Sequence, residues 1–275
     1  MTTEDRDLDP VDDSVDTPDG SRSSSSPDAP AGASAAPARQ KRKHLPVWQE
    51  TILLLGIALV LAVVIKALFV QAFYIPSESM EPGLVKNDRI LVQKVSYWFG
   101  GEPQRGDVVV FEDPGSWLSD AEQGDPTNGL TSLMAKIGLY PTGGHLVKRV
   151  VGVAGDTITC CDEKGRISVN GKPLNEEAYV KREKGIDCRG PMTGNCSWSA
   201  GPVPEGQLFV MGDNRGHSAD SSAHLCLPEE ETDCTKNPYV PVDSVVGKVF
   251  VLLWPTDRFD WVGRPDAFAN VPDPS

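Results

Sequence analysis

A single long apolar run stands out near the N-terminal end of an otherwise mixed sequence. The fourteen residues from Ile52 to Ile65 carry no charged or strongly polar side chain, and apolar character continues past Lys66 to Ile75. As a helix, the 20 residues from Val47 to Lys66 would be roughly 30 Å long, which matches the hydrocarbon core of a bilayer. The pattern therefore predicts a transmembrane segment within residues 47–75.

The same run has two other interpretations. A buried core helix would ordinarily be amphipathic, whereas this segment is apolar on all sides. A cleaved signal peptide would be followed by a small-x-small cleavage site, whereas the chain continues as QAFYIPSES. A retained signal-anchor is favoured, because a basic cluster in residues 39–46 indicates a cytoplasmic N-terminal flank. Its members are Arg39, Lys41, Arg42 and Lys43.

From residue 85 onward, short runs rich in β-branched residues are separated by Gly, Pro, Asp and Asn. This pattern is typical of short strands joined by turns. The absence of long amphipathic stretches between the runs argues against a parallel sheet with helical crossovers. The fold class predicted is mainly β: a single N-terminal transmembrane helix followed by a largely antiparallel β-sheet domain. That domain spans residues 76–260, with loop insertions at 113–144, 181–205 and 222–240 and a loose C-terminal tail at 261–275.

Charge divides the chain of 275 residues unevenly. Residues 1–38 hold nine acidic and two basic residues, so this segment carries −7 of the formal net charge of −13. It also lacks large apolar side chains almost completely, and we expect it to be disordered. The acidic balance of the whole chain argues against a nucleic-acid partner.

All six cysteines follow the apolar run, and an even number outside the cytoplasm suggests disulfides. Cys188 with Cys196, and Cys226 with Cys234, share the spacing C-x7-C and are the predicted pairs. The remaining two, Cys160 and Cys161, would point to opposite faces of a strand, so we expect them to be free or to pair elsewhere. A zinc site is the alternative, but the chain has no C-x2-C knuckle.

Two serines lie two positions apart directly after the apolar run, in the segment IPSES at residues 75–79. Pro76 fixes its own φ and biases Ile75 toward an extended conformation, which makes the segment rigid. Taken alone, the segment is ordinarily a solvated membrane-proximal loop.

Lys148 lies in the run LVKRVVG, which predicts a strand. Because side chains alternate on a strand, Lys148 and Arg149 face opposite sides, and at most one of them is expected to meet the core. A lysine held among apolar residues has a lowered pKa, and its neutral amine can act as a base. An exposed pair of cations is the ordinary interpretation.

The segment MGDNRGHSADS, residues 211–221, is dense in polar residues and forms either a capped turn or a site. His217 invites a Ser-His-Asp triad, but none of the four histidines stands in an evident acid-base setting. Asp213 and Arg215 are interpreted as structural turn residues.

Taken together and in order, four segments resemble the bacterial type I signal peptidases. They are PSESMEPGL after the anchor, RGDVVVF at 105–111, KRVVGVAGD at 148–156 and GDNRGHSADS at 212–221. The resemblance covers roughly residues 50–255. It implies a membrane-bound serine endopeptidase that removes signal peptides from exported preproteins, cleaving after small residues of the Ala-x-Ala type.

The resemblance also implies roles for individual residues. Ser79 matches the family's nucleophile and Lys148 its general base, which gives a dyad without histidine. Ser77 matches the serine whose hydroxyl, with the Ser79 amide, forms the oxyanion hole. Ser218 matches the serine that orients the lysine, and Asp220 matches a supporting acid. The positions that line shallow pockets for small substrate side chains are Ile75, Leu84, Leu146 and Val147.

No metal or cofactor is implied. The expected partners are signal peptides and membrane lipid, with a transient contact to the secretion machinery. The expected location is the plasma membrane, with the N-terminus cytoplasmic and the catalytic domain outside. Two alternatives stay open: another Ser-Lys peptidase of the same fold, such as a self-cleaving repressor, and a non-enzymatic anchored β module.

The sequence departs from the family pattern at two positions. Gly83 stands where the family often has Thr or Ser, and Ser222 stands where an arginine is common. An arginine partner for Asp220 is therefore not expected at that position. Some relatives have two anchoring spans, and this sequence shows one.

Overall fold

The computed structural model describes residues 46–115, 117–118, 144–181, 196–227 and 234–274. The predicted acidic tail and nearly all of the basic flank lie outside the described residues, as do most of the insertion at 113–144 and parts of the two later insertions. The apolar helix and two sheets lie within the described ranges.

The predicted membrane helix is present as α1, Val47–Phe69. Its stretch Val47–Ile65 is long and apolar enough to cross a membrane, and none of it is buried within the protein. The helix ends earlier than the predicted boundary at residue 75, because Val70–Tyr74 form strand β1. Phe73 in β1 is buried in the sheet core, so the apolar character of this stretch serves a strand.

The larger sheet is antiparallel and begins directly where α1 ends. Its strands are β1, β2 (Arg89–Gln93), β3 (Val108–Glu112), β4 (His145–Gly152), β9 (Gln207–Met211), β10 (Val240–Pro241), β11 (Val245–Trp254) and β12 (Asp260–Trp261). The strand order is β1-β2-β11-β3-β4-β9-β10, and β12 pairs with β11. Every paired strand runs antiparallel to its neighbour, which confirms the predicted fold class. Strand β4 therefore lies inside the sheet, between β3 and β9.

A smaller antiparallel sheet packs beside β9. Its strands are β5 (Ile158–Cys160), β6 (Ser168–Val169), β7 (Lys172–Pro173) and β8 (Trp198–Ala200), in the order β7-β6-β5-β8. One core cluster joins the two sheets, since it contains Ile158 and Val169 together with Phe209 and Met211. Short 3-10 helices connect the elements at Val95–Gly100, Arg215–His217, Ser221–His224, Val242–Ser244, Thr256–Arg258 and Asp266–Phe268.

The C-terminal segment is packed, in contrast to the loose tail expected from its sequence. Phe268 is buried and its ring lies 6.2 Å from that of Tyr179. The smaller sheet also holds this segment: Asn170 Nδ2 donates to Pro272 O at 2.8 Å, and Lys172 Nζ donates to Asn270 O at 2.7 Å. One aromatic anchor and two backbone contacts, which leave no periodic pattern in the sequence, order the segment.

Disulfides join the described cysteines. The predicted pair Cys226–Cys234 is confirmed. Cys196 is also disulfide-bonded, while its predicted partner Cys188 lies outside the described residues. The expectation for the adjacent cysteines is wrong, because Cys160 and Cys161 are bonded to each other. Strand β5 ends at Cys160, so the alternation of side chains along a strand does not extend to Cys161.

Candidate active site

The segment that carries the two serines is folded back onto the end of β1. The Ile75 amide donates to Asp88 O at 2.8 Å, and the Asn87 amide donates to Ile75 O at 2.8 Å. The Asp88 carboxylate accepts a further bond from the Val85 amide at 2.8 Å. These contacts close residues 75–88 into a loop, called here the nucleophile loop, and the Ser79 side chain within it is 5% exposed.

Lys148 reaches this loop from the middle of the larger sheet. It lies on β4 opposite Val109 of β3 and is 4% exposed. Its Nζ donates to Ser79 Oγ at 2.7 Å. The structure thus brings together two side chains that are 69 positions apart in the sequence. A neutral amine at the same distance could instead accept the serine proton on its lone pair.

Burial prepares Lys148 for that exchange. Desolvation lowers the pKa of its ammonium group from 10.5 to about 8, and the negative charges of Asp220 and Asp213 partly oppose the shift. A charged amine loses its hydration when it is buried, so the neutral form becomes accessible near physiological pH. The site therefore contains a base that can be unprotonated in a mildly alkaline solution.

Ser77 is the second hydroxyl beside the nucleophile. Its Oγ lies 3.1 Å from Ser79 Oγ. The Ser79 amide N–H has no acceptor among the described residues, so it remains available to a bound substrate. A hydroxyl and a backbone N–H near one reacting oxygen are the components of an oxyanion hole.

The segment at 212–222 is organised around the carboxylate of Asp220. Ser218 Oγ donates to Oδ2 at 2.6 Å, and the Gly212 amide donates to the same oxygen at 2.8 Å. Ser222 donates to Oδ1 twice, from its hydroxyl at 2.6 Å and from its amide at 3.0 Å. The Ser218 hydroxyl is thus directed to Asp220, and its predicted role in orienting Lys148 stays a prediction. The hydroxyl and the amide of Ser222 are therefore neutral donors to Oδ1. This agrees with the expectation that Asp220 has no arginine partner at position 222.

Gly212 allows the nucleophile loop to approach this segment. A Cβ atom at position 212 would overlap with the Ser79 carbonyl oxygen and with the Ser218 hydroxyl. Any larger residue would therefore push the nucleophile away from the Asp220 cluster. The glycine of GDNR is visible in the sequence as a position that allows a close approach of two segments. Only the structure shows that the approaching segment is the nucleophile loop.

Arg149 is the feature that sequence reasoning missed. The expectation that at most one of Lys148 and Arg149 meets the core is wrong, because Arg149 is also buried, at 6% exposure. Its Nε and Nη2 donate to the two oxygens of Asp213 at 2.8 and 2.7 Å. Its Nη1 donates to Gly106 O, and its guanidinium lies 4.6 Å from the centre of the Tyr179 ring. Both faces of β4 are therefore covered, and the charge of the buried Arg149 is paired with the carboxylate of Asp213.

A second buried ion pair lies close by. Arg215 Nη2 donates to Glu176 at 2.6 Å, and Arg215 Nε donates to Gly212 O at 3.0 Å. Glu176 has no signal in the sequence, because a lone acid in a loop carries no pattern.

The structure does not support a histidine triad. His217 is exposed, and the bonds of the Ser79 hydroxyl are to Lys148 and Ser77. In the part of the chain that the structure describes, no three His, Cys, Asp or Glu side chains are grouped to hold a metal ion.

The structure brings together three of the four residues expected to line substrate pockets. Ile75, Leu84 and Val147 belong to one apolar cluster, together with Met80 of the nucleophile loop. Leu146 is also buried but belongs to a different cluster, which contains Val109 and Phe111 among others. The pocket assignment of all four residues stays a prediction.

Comparisons with known proteins find a family model and several relatives that match most of the chain. The chain matches the protein-family model described as "Signal peptidase, peptidase S26" over residues 48–254. A signal peptidase I of Mycobacterium tuberculosis is 39% identical over 248 residues, which cover 84% of this chain and 80% of that protein. A probable signal peptidase I of Mycobacterium leprae is 36% identical over 85% of each chain, and a signal peptidase I of Leptolyngbya laminosa is 32% identical over 85% of this chain and 93% of that protein.

Proposed function

The chain belongs to the signal peptidase family, peptidase S26, and we propose that it cleaves signal peptides with a Ser79–Lys148 dyad. The observation that carries this proposal is the 2.7 Å separation of Lys148 Nζ and Ser79 Oγ, both in buried side chains. A serine hydroxyl becomes a nucleophile when an adjacent base accepts its proton, and a desolvated lysine can be that base.

The reaction begins with neutral Lys148. As Ser79 Oγ attacks the scissile carbonyl carbon, the hydroxyl proton passes to Nζ and the carbonyl oxygen becomes an oxyanion. The Ser79 N–H and the Ser77 hydroxyl donate hydrogen bonds to that oxyanion. The C–N bond then breaks, the leaving amine takes the proton from Nζ, and an ester joins Ser79 to the signal peptide.

The same amine serves the second half of the reaction. Lys148, neutral again, accepts a proton from water as the water oxygen attacks the ester carbonyl. The tetrahedral intermediate collapses, Ser79 Oγ leaves and recovers the proton from Nζ, and the product departs as a carboxylic acid that releases its own proton to water. Each half-reaction uses one base and returns it to its starting state.

Preference for small residues of the Ala-x-Ala type is part of the proposal. The cluster around the nucleophile loop, including Ile75, Leu84 and Val147, is apolar and tightly buried, which supports shallow pockets for small side chains. Leu146 is the fourth proposed pocket residue, and its side chain belongs to the other apolar cluster, with Val109 and Phe111.

The proposed orientation places the N-terminus in the cytoplasm and the β domain outside the plasma membrane. The basic residues before α1 and the disulfide Cys226–Cys234 support it. Contact with lipid is supported by exposed aromatic side chains at Tyr74, Trp254, Phe259 and Trp261. Transient contact with the secretion machinery stays a prediction.

The decisive experiment uses the full chain, purified in detergent, with a preprotein that carries an Ala-x-Ala site. We expect a new N-terminus directly after that site, identified by mass spectrometry. Ser79→Ala and Lys148→Ala should reduce cleavage to background without unfolding the domain. Matched controls are Ser199→Ala and Lys172→Ala, which change a serine and a lysine of the smaller sheet and should retain full activity.

Three results would overturn the proposal. Wild-type activity in either dyad variant would remove the assigned nucleophile or base. A folded wild-type protein that leaves every preprotein intact would favour the non-enzymatic β module. Cleavage only of its own chain would favour a self-cleaving Ser-Lys peptidase of the same fold. Replacing the −1 or −3 alanine of the preprotein by leucine should block cleavage if the pockets are shallow.

A further inference from the structure

Asn214 holds the nucleophile loop at two consecutive carbonyl groups. Its side-chain Nδ2 donates to Glu78 O at 3.1 Å, and its backbone amide donates to Ser79 O at 3.0 Å. Asn214 is fully buried, lies shortly after the end of β9 at Met211 and directly follows the ion-paired Asp213. No role in the reaction described above uses this residue.

The two acceptors are informative because of the peptides to which they belong. The Glu78 carbonyl and the Ser79 N–H are the two ends of one planar amide. The Ser79 carbonyl belongs to the next amide along the chain. The Glu81 amide also donates to Glu78 O, at 3.1 Å, within the nucleophile loop. Asn214 adds a second donor to that oxygen and holds the next peptide as well, so it helps to fix both peptide planes that flank the Ser79 Cα and with them the direction of the Ser79 N–H.

The bond to Glu78 O has an electronic consequence as well as a geometric one. A hydrogen bond accepted by the carbonyl of an amide polarises that amide and strengthens its N–H as a donor. The Ser79 N–H has no acceptor among the described residues, so this added strength is available to a bound oxyanion. Preorganised donors stabilise a transition state most because they do not have to turn when the charge develops.

The contacts of Asn214 itself point the same way. Its Oδ1 is buried and has no hydrogen-bond partner in the part of the chain that the structure describes. Buried polar atoms are ordinarily paired, and an exception calls for an explanation. The arrangement leaves the acceptor unsatisfied and places the donor on the nucleophile peptide, which a role in packing alone would not require.

We propose that Asn214 is a positioning residue that aims and polarises the Ser79 N–H of the oxyanion hole. This inference rests on the proposed function, since it assumes that Ser79 is the nucleophile. The segment after β9 thus influences the transition state indirectly, through one peptide group of the nucleophile loop.

The test compares Asn214→Ala and Asn214→Leu with the wild-type chain. Both variants remove the donor, and leucine keeps approximately the volume of the side chain. We expect kcat to fall roughly tenfold to hundredfold, less than the 10²–10³ lost with a direct oxyanion donor. KM and the pH midpoint of cleavage should stay unchanged. Asn170→Ala is the matched control, because Asn170 also binds backbone and carboxylate groups but lies in the turn between β6 and β7 of the smaller sheet.

A second measurement separates positioning from folding. A peptide boronate forms a tetrahedral adduct with the serine, so its affinity should fall by the same factor as kcat. Affinity for an uncleavable peptide with the ground-state geometry should not change. Combining Asn214→Ala with Ser77→Ala should cost less than the two separate losses multiplied, because both act on one oxyanion.

The outcomes are distinguishable from failure of the proposed function. If Ser79→Ala remained active, the dyad itself would be wrong. If Ser79→Ala were inactive while Asn214→Leu kept wild-type kcat and boronate affinity, only the positioning role would fall. The positioning role would also be contradicted if the Asn214 variants lost kcat only in proportion to their loss of thermal stability and Asn170→Ala showed the same proportion.

Discussion

Strand β4 presents two neighbouring cations to opposite sides, and the protein treats them differently. Arg149 lies in contact with both oxygens of Asp213, at 2.7 and 2.8 Å, and stacks over Tyr179. Lys148 is equally buried, but its direct hydrogen bond is to the neutral hydroxyl of Ser79. The charge of Arg149 is thus paired with a contacting carboxylate. Lys148 has no contacting counter-ion among the described residues.

The difference explains which cation can act as a base. A carboxylate in contact stabilises the charged form, so the pKa of Arg149 is raised despite burial. Lys148 keeps the desolvation penalty with only partial relief from more distant charges, and its pKa falls to about 8. Burial alone therefore does not create a catalytic amine; burial without an adjacent carboxylate does.

Replacing Lys148 by arginine gives the largest expected effect, because it makes the two faces alike. A guanidinium stays protonated at every working pH and cannot accept the Ser79 proton. We expect cleavage to fall by up to about 10⁴-fold, measured as kcat/KM on a preprotein. Lys172→Arg, in the smaller sheet, should change nothing. If Lys148→Arg kept more than about one per cent of the wild-type kcat/KM, Lys148 would not be the base.

Arg149→Met tests the satisfied face. It leaves the Asp213 carboxylate buried without its partner, and breaking a buried pair costs about 3–5 kcal/mol of unfolding free energy. Urea unfolding of the full chain in detergent, followed by tryptophan fluorescence, measures the loss. Arg149→Met with Asp213→Leu should recover most of the stability. A neutral single variant would contradict the view that this pair holds the domain together.

The sequence predicted the surroundings of Lys148 better than those of Arg149. The β-branched run around residue 148 was sufficient to predict a strand, and four motifs in order were sufficient to assign Ser79 and Lys148 to one site. Alternation along a strand also separated the two cations correctly. It failed on burial, because the covering of the second face depends on Asp213 and Tyr179, which are 64 and 30 positions further along the chain.

The same limit applies to Asn214 and to the C-terminal segment. An asparagine in a polar turn has no pattern that reveals a bond to Glu78 O, 136 positions away. Phe268 is a single aromatic residue in a Pro-rich stretch, so its burial against the smaller sheet could not be anticipated from periodicity. Local patterns predict strands and motifs, whereas contacts that connect distant segments need the fold.

Lys148→Met sharpens the comparison by removing the unsatisfied charge. Below pH 8 the wild-type protein must hold a buried ammonium group, so the variant should be more stable by up to about 3 kcal/mol. The folded pKa lies below the unfolded value of 10.5, so wild-type stability rises between about pH 8 and 10.5. The advantage of the variant should therefore shrink over that window. A variant less stable at pH 7 than at pH 10, relative to wild type, would reverse the sign.

Asp220→Asn gives the smallest effect and tests how the charge of Lys148 is balanced at a distance. The Asp220 carboxylate raises the pKa of Lys148, although its own hydrogen bonds are to Ser218, Gly212 and Ser222. Removing its charge should lower that pKa, so the midpoint of the kcat/KM profile should move to lower pH, by at most about one unit. The plateau rate should fall separately, because the amide cannot accept all four bonds.

The control for this change is Asp243→Asn, which removes the same charge from an exposed turn and should leave the midpoint in place. A midpoint that stayed near pH 8 in Asp220→Asn would mean that desolvation alone sets the base. A midpoint that moved upward would mean that Asp220 does not act on Lys148 through its charge. In the expected case, the two faces of β4 differ in how their carboxylates act: Asp213 contacts Arg149 and keeps it charged, whereas Asp220, whose hydrogen bonds are to neutral donors, only partly offsets the desolvation that lowers the pKa of Lys148.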